Sequence, residues 1–125
     1  MDVIKQTKYW IETAEDDLHT AEILINNRKL LHGLFFCHLS IEKAIKAHIV
    51  HFTLKVPARS HNLFFLIGLA DLNLNDAEKD LCSLLMAYHI EGRYPDNYPV
   101  APSMTRTKEI FTKTKTLLQC LKAKL

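Results

Sequence analysis

The second predicted helix carries polar residues whose types and spacing could support chemistry. His38, Glu42 and Lys46 follow one another at steps of four, so a carboxylate lies one helical turn from two nitrogen-bearing side chains on the same face. Such a face could contribute to a ligand site. It could equally be a solvated ridge, in which Glu42 and Lys46 form an ion pair that stabilises the helix by roughly 0.2–0.5 kcal/mol. The sequence leaves both interpretations open.

A second group of polar residues lies at the predicted ends of helices. Its members are Arg59, His61, His89, Arg93, Tyr94 and Asp96. Because the fourth helix is predicted to reach Ile90, His89 and Arg93 would be one helical turn apart. An imidazole that can transfer protons would then lie beside a permanent cation that can bind phosphate. The alternative is structural, with Arg93 bonded to the last carbonyls of its helix and paired with Asp96 to fix the loop.

The ligand patterns of common metal and catalytic sites are missing. There is no Cys-x-x-Cys or His-Glu-x-x-His. His48 and His51 are spaced like metal ligands on one helix. However, His48 lies on the apolar side of that helix, and no residue near in sequence completes the coordination shell. We therefore predict no metal site and no cofactor. The absence of a Gly-rich phosphate loop, a nucleophile elbow and paired catalytic carboxylates argues against ordinary hydrolases and nucleoside triphosphatases.

Composition predicts one all-α domain over residues 1–125. The chain is 48% hydrophobic and has only three glycines and four prolines, which favours long regular elements around one core. A net charge of +2 restricts any nucleic-acid role to a local surface. Three separated cysteines are typical of reduced thiols, and no apolar run approaches the length of a membrane span. We expect a soluble, cytoplasmic protein without membrane contact.

Apolar residues at steps of three and four predict the elements that position these groups. The predicted helices run from Asp2 to about Asn26, about Leu30 to Phe52, Leu63 to about Leu72, Ala77 to about Ile90, and from Ser103 or Thr105 onward. The second should be central and antiparallel to the first, because the connection between them is short. The third is apolar almost all round, so it should be buried or face another subunit.

Four segments in this order resemble the HEPN family, the higher eukaryotes and prokaryotes nucleotide-binding domain. They are Ala14-Glu15-Asp16-Asp17-Leu18, the run from His38 to Ala47, Ser60-His61-Asn62-Leu63, and Arg93-Tyr94-Pro95. The resemblance covers almost the whole chain. It implies an up-and-down bundle of four to five helices, often a homodimer, and in prokaryotes frequently a partner of a small minimal nucleotidyltransferase in a toxin–antitoxin-like gene pair.

The resemblance implies either of two activities. Many HEPN proteins are metal-independent ribonucleases with an arginine followed, after four to six residues, by a histidine. Here no arginine has a histidine at that spacing. Arg93 has no histidine after it, and Arg59 is only two residues before His61. Arg28 and His32 are separated by one residue too few, and they lie at a different helix junction from the family motif. The sequence thus resembles the branch of the family that lacks the nuclease motif.

For that branch, a non-catalytic binding role is implied, with a nucleotide or RNA as ligand. Arg93 would grip a phosphate or carboxylate and Tyr94 would stack or pack, with His61, Glu42 and Lys46 as polar neighbours. The rival expectation is a metal-independent endoribonuclease toxin that uses Arg93 with His89 or His61.

Overall fold

The computed structural model describes all residues from Met1 to Leu125 and contains helices and loops but no strands. Its five α-helices are α1 (Val3–Asn26), α2 (Leu30–Thr53), α3 (Leu63–Ala70), α4 (Asp76–Met86) and α5 (Met104–Ala123), with a short 3-10 turn at Pro95–Asn97. The prediction of an all-α bundle is confirmed. None of the helices is both long enough and apolar enough to cross a membrane.

Helices α1 and α2 form the predicted antiparallel hairpin. Close to the connecting turn, Gly33 lies against Ile25, and at the far end Lys46 lies over the ring of Trp10. A Cβ atom added at Gly33 would come within 2.5 Å of Ile25 Cγ1 and 3.2 Å of the Ala21 carbonyl oxygen. The two backbones can approach this closely only because residue 33 has no side chain.

Helix α2 is the central element, as predicted, because it packs against each of the other four helices. Most of its residues between Gly33 and Val50 are buried, including the apolar Leu34, Ile41 and Ile45. Helix α5 contacts α1, α2 and α4, while α3 packs on α2 and α4. A helix enclosed on several sides has few solvent-facing positions, so its polar residues are forced into the interior.

The three cysteines are free thiols. Cys37 and Cys82 are buried, and burial raises the pKa of the Cys37 thiol to about 12 and that of Cys82 to about 11. These thiols therefore stay protonated at neutral pH and act as small apolar side chains. Cys120 is half-buried on α5.

Helix α3 has one buried and one exposed apolar face. Leu63, Leu66 and Ala70 point into the core, whereas Phe64 and Phe65 are about half exposed. The helix ends at Ala70, two residues earlier than predicted, because Asp71 adopts a left-handed conformation that stops it.

Helix α4 ends at Met86, four residues earlier than predicted, and this corrects the expected geometry of His89 and Arg93. Tyr88 and Ile90 are both buried, yet residues two apart lie on nearly opposite sides of a helix. The chain leaves the helix after Met86, and both side chains then reach the core. His89 and Arg93 are therefore not one helical turn apart, and a turn with Gly92 at a φ of 79° connects Ile90 to Arg93.

Candidate functional site

The Glu42 carboxylate is the centre of a buried polar cluster. The residue is only 3% exposed. Its Oε2 atom accepts a hydrogen bond from Lys46 Nζ at 3.1 Å, and its Oε1 atom lies 2.9 Å from His61 Nδ1. The structure thus brings together three residues that the sequence analysis singled out, and it removes the interpretation of Glu42 and Lys46 as a solvated pair.

Lys46 enters the cluster from the turn after Glu42 and is 7% exposed. Its ammonium group lies 5.5 Å from the centroid of the Trp10 ring on α1, a distance at which the ring face attracts a cation. The carboxylate and the aromatic ring together compensate a charge that would be costly to bury alone.

His61 reaches the cluster from the loop before α3. Because the carboxylate can only accept hydrogen bonds, His61 Nδ1 must carry the proton that it shares with Glu42. Its Nε2 atom then carries a lone pair, and half of the side chain is accessible to solvent. The result is an imidazole fixed in orientation and tautomer by a buried carboxylate, with its basic nitrogen free.

His38 ties this loop to the central helix. Its Nε2 atom lies 3.1 Å from the carbonyl oxygen of His61, to which it donates a hydrogen bond. The side chain is fully buried, and burial lowers the pKa of His38 to about 4, although the Glu42 carboxylate acts in the opposite direction. His38 is therefore neutral at physiological pH and serves to position His61.

His89 completes a group of three imidazoles. Its ring stacks on His61 at a centroid distance of 4.5 Å and meets His38 edge-on at 5.0 Å. Burial lowers the pKa of His89, and the nearby His61 ring and Arg93 charge act in the same direction, although the Glu42 and Glu91 carboxylates act in the opposite direction. The His89 Nε2 atom is shielded from solvent and has no hydrogen-bond partner.

Arg93 lies at the solvent-facing edge of this cluster, and Tyr94 follows it in the chain. Arg93 is exposed and forms no ion pair, so the predicted alternative in which Asp96 holds it is not seen. Its positive charge nevertheless lowers the pKa of His89. Tyr94 is 79% exposed. The guanidinium group is thus free to bind a ligand from solution.

The structure also brings together donors that the sequence did not connect. One ligand atom from each of His61, His89 and Glu91 lies within 4.8 Å of the other two. These residues come from the loop before α3 and the segment after α4, and no pattern of local spacing could have joined them. The ligand-like pair His48 and His51 is not such a site, because His48 Nε2 donates to the Leu121 carbonyl oxygen at 2.7 Å.

Fold and site together define a helical bundle with an imidazole and carboxylate cluster open to solvent at one edge. The family model for the HEPN domain matches residues 7–124, and the chain belongs to this family. HEPN domains are of nucleotide-binding or ribonuclease type. The predicted family resemblance is confirmed.

A solved structure has the same fold. The crystal structure of TT1696 from Thermus thermophilus superposes with a TM-score of 0.77, covering 96% of this chain and 98% of that one, at 23% sequence identity. A comparison with curated proteins finds no significant match.

Proposed function

We propose that this chain is a non-catalytic HEPN domain that binds the phosphate of a nucleotide at the edge formed by His61, His89 and Arg93. In this proposal it dimerises and acts as the binding partner of a small nucleotidyltransferase in a toxin–antitoxin-like module. The observation that carries the proposal is the exposed guanidinium group of Arg93, which has no ion-pair partner in the protein and whose charge lowers the pKa of His89.

The chemistry of the edge is suited to an anion. Arg93 offers a planar set of donors that matches phosphate oxygens. The pKa of His89 is lowered, so its ring is neutral and adds no fixed charge at physiological pH. Tyr94, exposed beside Arg93, offers an aromatic face for a base. The absence of the arginine–histidine spacing of HEPN nucleases favours binding over cleavage.

The test is calorimetric titration of the protein with ATP and AMP. We expect Arg93→Ala to weaken binding by roughly tenfold or more, because a hydrogen bond to a charged group contributes about 1.5–3 kcal/mol. Arg106→Ala is the matched control, since Arg106 is also exposed but pairs with Glu109 on α5. Equal affinity of wild type and Arg93→Ala would contradict the proposal.

A metal-independent endoribonuclease is the second candidate, and the Glu42–His61 hydrogen bond favours it. A carboxylate that fixes the tautomer of an imidazole is the arrangement that prepares a general base. His61 Nε2 would accept the proton of a ribose 2′-hydroxyl, while Arg93 would stabilise the charge on the phosphate.

Incubation with RNA in the presence of a chelator separates the two candidates. A binding domain leaves the RNA intact. Cleavage that is lost in both Arg93→Ala and His61→Ala would establish the nuclease and overturn the non-catalytic proposal.

Association with a nucleotidyltransferase is tested through the neighbouring gene. If that gene encodes a small nucleotidyltransferase, the two proteins should co-purify after co-expression. Separate elution of two folded proteins would contradict this part of the proposal.

A further inference from the structure

We propose that His61, His89 and Glu91 bind a divalent transition-metal ion of the Zn²⁺ class. The inference goes beyond the proposed nucleotide binding and does not depend on it. It rests on three donors of the types that such ions prefer, two imidazole nitrogens and one carboxylate oxygen, all within 4.8 Å of one another.

The spacing is close to what a bound ion requires. With metal–ligand distances of about 2.0–2.2 Å, donors around a tetrahedral ion lie roughly 3.3–3.6 Å apart. The three donors must therefore converge by roughly 1.5 Å at most. Glu91 is exposed and lies in the turn that contains Gly92, so its side chain can make most of this movement while His61 keeps its hydrogen bond to Glu42.

Glu42 accepts from His61 the second hydrogen bond that metal-binding histidines usually donate. Ligating histidines donate their second ring N–H group to a carboxylate or carbonyl, which fixes the tautomer and raises the basicity of the ligating nitrogen. The His61 Nδ1–H group is already used in this way by a carboxylate that is 3% exposed. A carboxylate so placed leaves Nε2 as the nitrogen of His61 that would bind the ion.

Three protein ligands would leave a further coordination position. Sites of two histidines and one glutamate are of the open kind, in which water or a substrate atom takes the remaining position. Because two of the three ligands are exposed, this position would face solvent.

The test uses untagged protein and the metal alone. Calorimetric titration with Zn²⁺ should give one ion per chain, and Co²⁺ should give the visible absorption of a tetrahedral site. We expect Glu91→Gln and His61→Ala each to weaken Zn²⁺ binding by roughly tenfold or more, and Glu42→Gln by roughly 10–100-fold. Glu91→Gln changes only an exposed side chain, so its effect cannot arise from unfolding.

His51→Ala is the matched control, because His51 is an exposed histidine at the far end of α2. It should leave Zn²⁺ affinity unchanged. The inference is overturned if the wild type binds no Zn²⁺, if Glu91→Gln and His61→Ala bind as tightly as wild type, or if His51→Ala loses as much affinity as they do. Since no nucleotide is present, none of these outcomes depends on nucleotide binding.

Discussion

At the scale of single residues, Glu42 decides the character of the site. It satisfies a buried ammonium group on one side and orients a half-exposed imidazole on the other. The same carboxylate therefore contributes to stability and positions a reactive nitrogen. Any substitution here affects both properties, whereas Lys46 can be changed to probe the stability of the cluster.

We predict that Lys46→Met destabilises the protein by roughly 3 kcal/mol, because it leaves the buried Glu42 charge without its cation. The measurement is the free energy of unfolding in urea at neutral pH. Lys8→Met is the matched control, since Lys8 and Glu12 form an exposed pair at 3.7 Å and its loss should change stability by about 0.5 kcal/mol or less. A similar small effect for Lys46→Met would mean that Glu42 is well solvated.

The burial of His48 predicts how the free energy of unfolding depends on pH. His48 is buried against α5, and burial lowers its pKa, although the hydrogen bond to the Leu121 carbonyl oxygen acts in the opposite direction; Lys124 and His51 lower the pKa further. In the unfolded chain, His48 takes up a proton near pH 6.5, whereas the folded protein resists this until a lower pH. Stability therefore decreases as the pH falls below about 6.5, by up to about 1.4 kcal/mol per pH unit for a single group.

The check is urea unfolding at pH 7.5 and pH 5.0 for wild type and His48→Gln. Glutamine cannot take up the proton but can still donate to the Leu121 carbonyl oxygen, so the variant should lose less stability between the two pH values. Part of the loss of stability at low pH should remain in the variant, because the pKa values of His38 and His89 are also lowered. An unchanged pH dependence in the variant would show that His48 titrates normally in the folded state.

At the scale of elements, the close contact of α1 and α2 depends on Gly33. We predict that Gly33→Ala destabilises the protein by about 1–3 kcal/mol, because the added Cβ meets Ile25 and the backbone of Ala21. The free energy of unfolding measures the effect.

Gly68→Ala is the comparison, since a Cβ atom there meets nothing within 4 Å inside helix α3. Alanine should be neutral or stabilising by up to about 1 kcal/mol at this position. Equal effects of the two substitutions would mean that α1 and α2 can move apart without cost.

The sequence predicted helices well where apolar residues recur at steps of three and four. Helix α1 ends at Asn26 and α2 begins at Leu30, as the apolar pattern predicted, and α5 begins directly after Ser103. The end of α4 was missed, because periodicity cannot anticipate that Tyr88 and Ile90 both bury against the core. In the structure His89 therefore lies outside a helix. Its ring stacks on His61, and the predicted pairing with Arg93 one helical turn away is not seen.

The candidate site was only partly predictable for a similar reason. Glu42 and Lys46 share a helix face, so their contact followed from spacing alone. Their burial, however, depends on how the other helices surround α2, and the contacts of His61 with His89 and Glu91 depend on the packing of separate segments. Such contacts between distant residues leave no local signal in a single sequence.

At the scale of the whole molecule, the exposed face of α3 predicts self-association. Phe65 is 51% exposed and Phe64 is 42% exposed, and both project from the same short helix. Contiguous exposed apolar residues of this kind mark interaction surfaces. We expect a homodimer through this face.

Light scattering after size exclusion tests this expectation at micromolar concentration. Phe65→Glu should shift the protein to a monomer, because a charge would be buried in the interface. Ile4→Glu, at an equally apolar but separate position that is 82% exposed on α1, should remain dimeric. A monomeric wild type, or two variants that behave alike, would contradict an interface on α3.

Binding of a nucleotide at the cluster edge can be observed at its own histidines. The measurement is an NMR titration of histidine-labelled protein with ATP in the presence of a chelator. We predict saturable shifts of the His61 and His89 ring signals, an unchanged His51 signal, and loss of the shifts in Arg93→Ala. Signals of His61 and His89 that remain unchanged at millimolar ATP, or that shift equally in Arg93→Ala, would contradict a phosphate site at this edge.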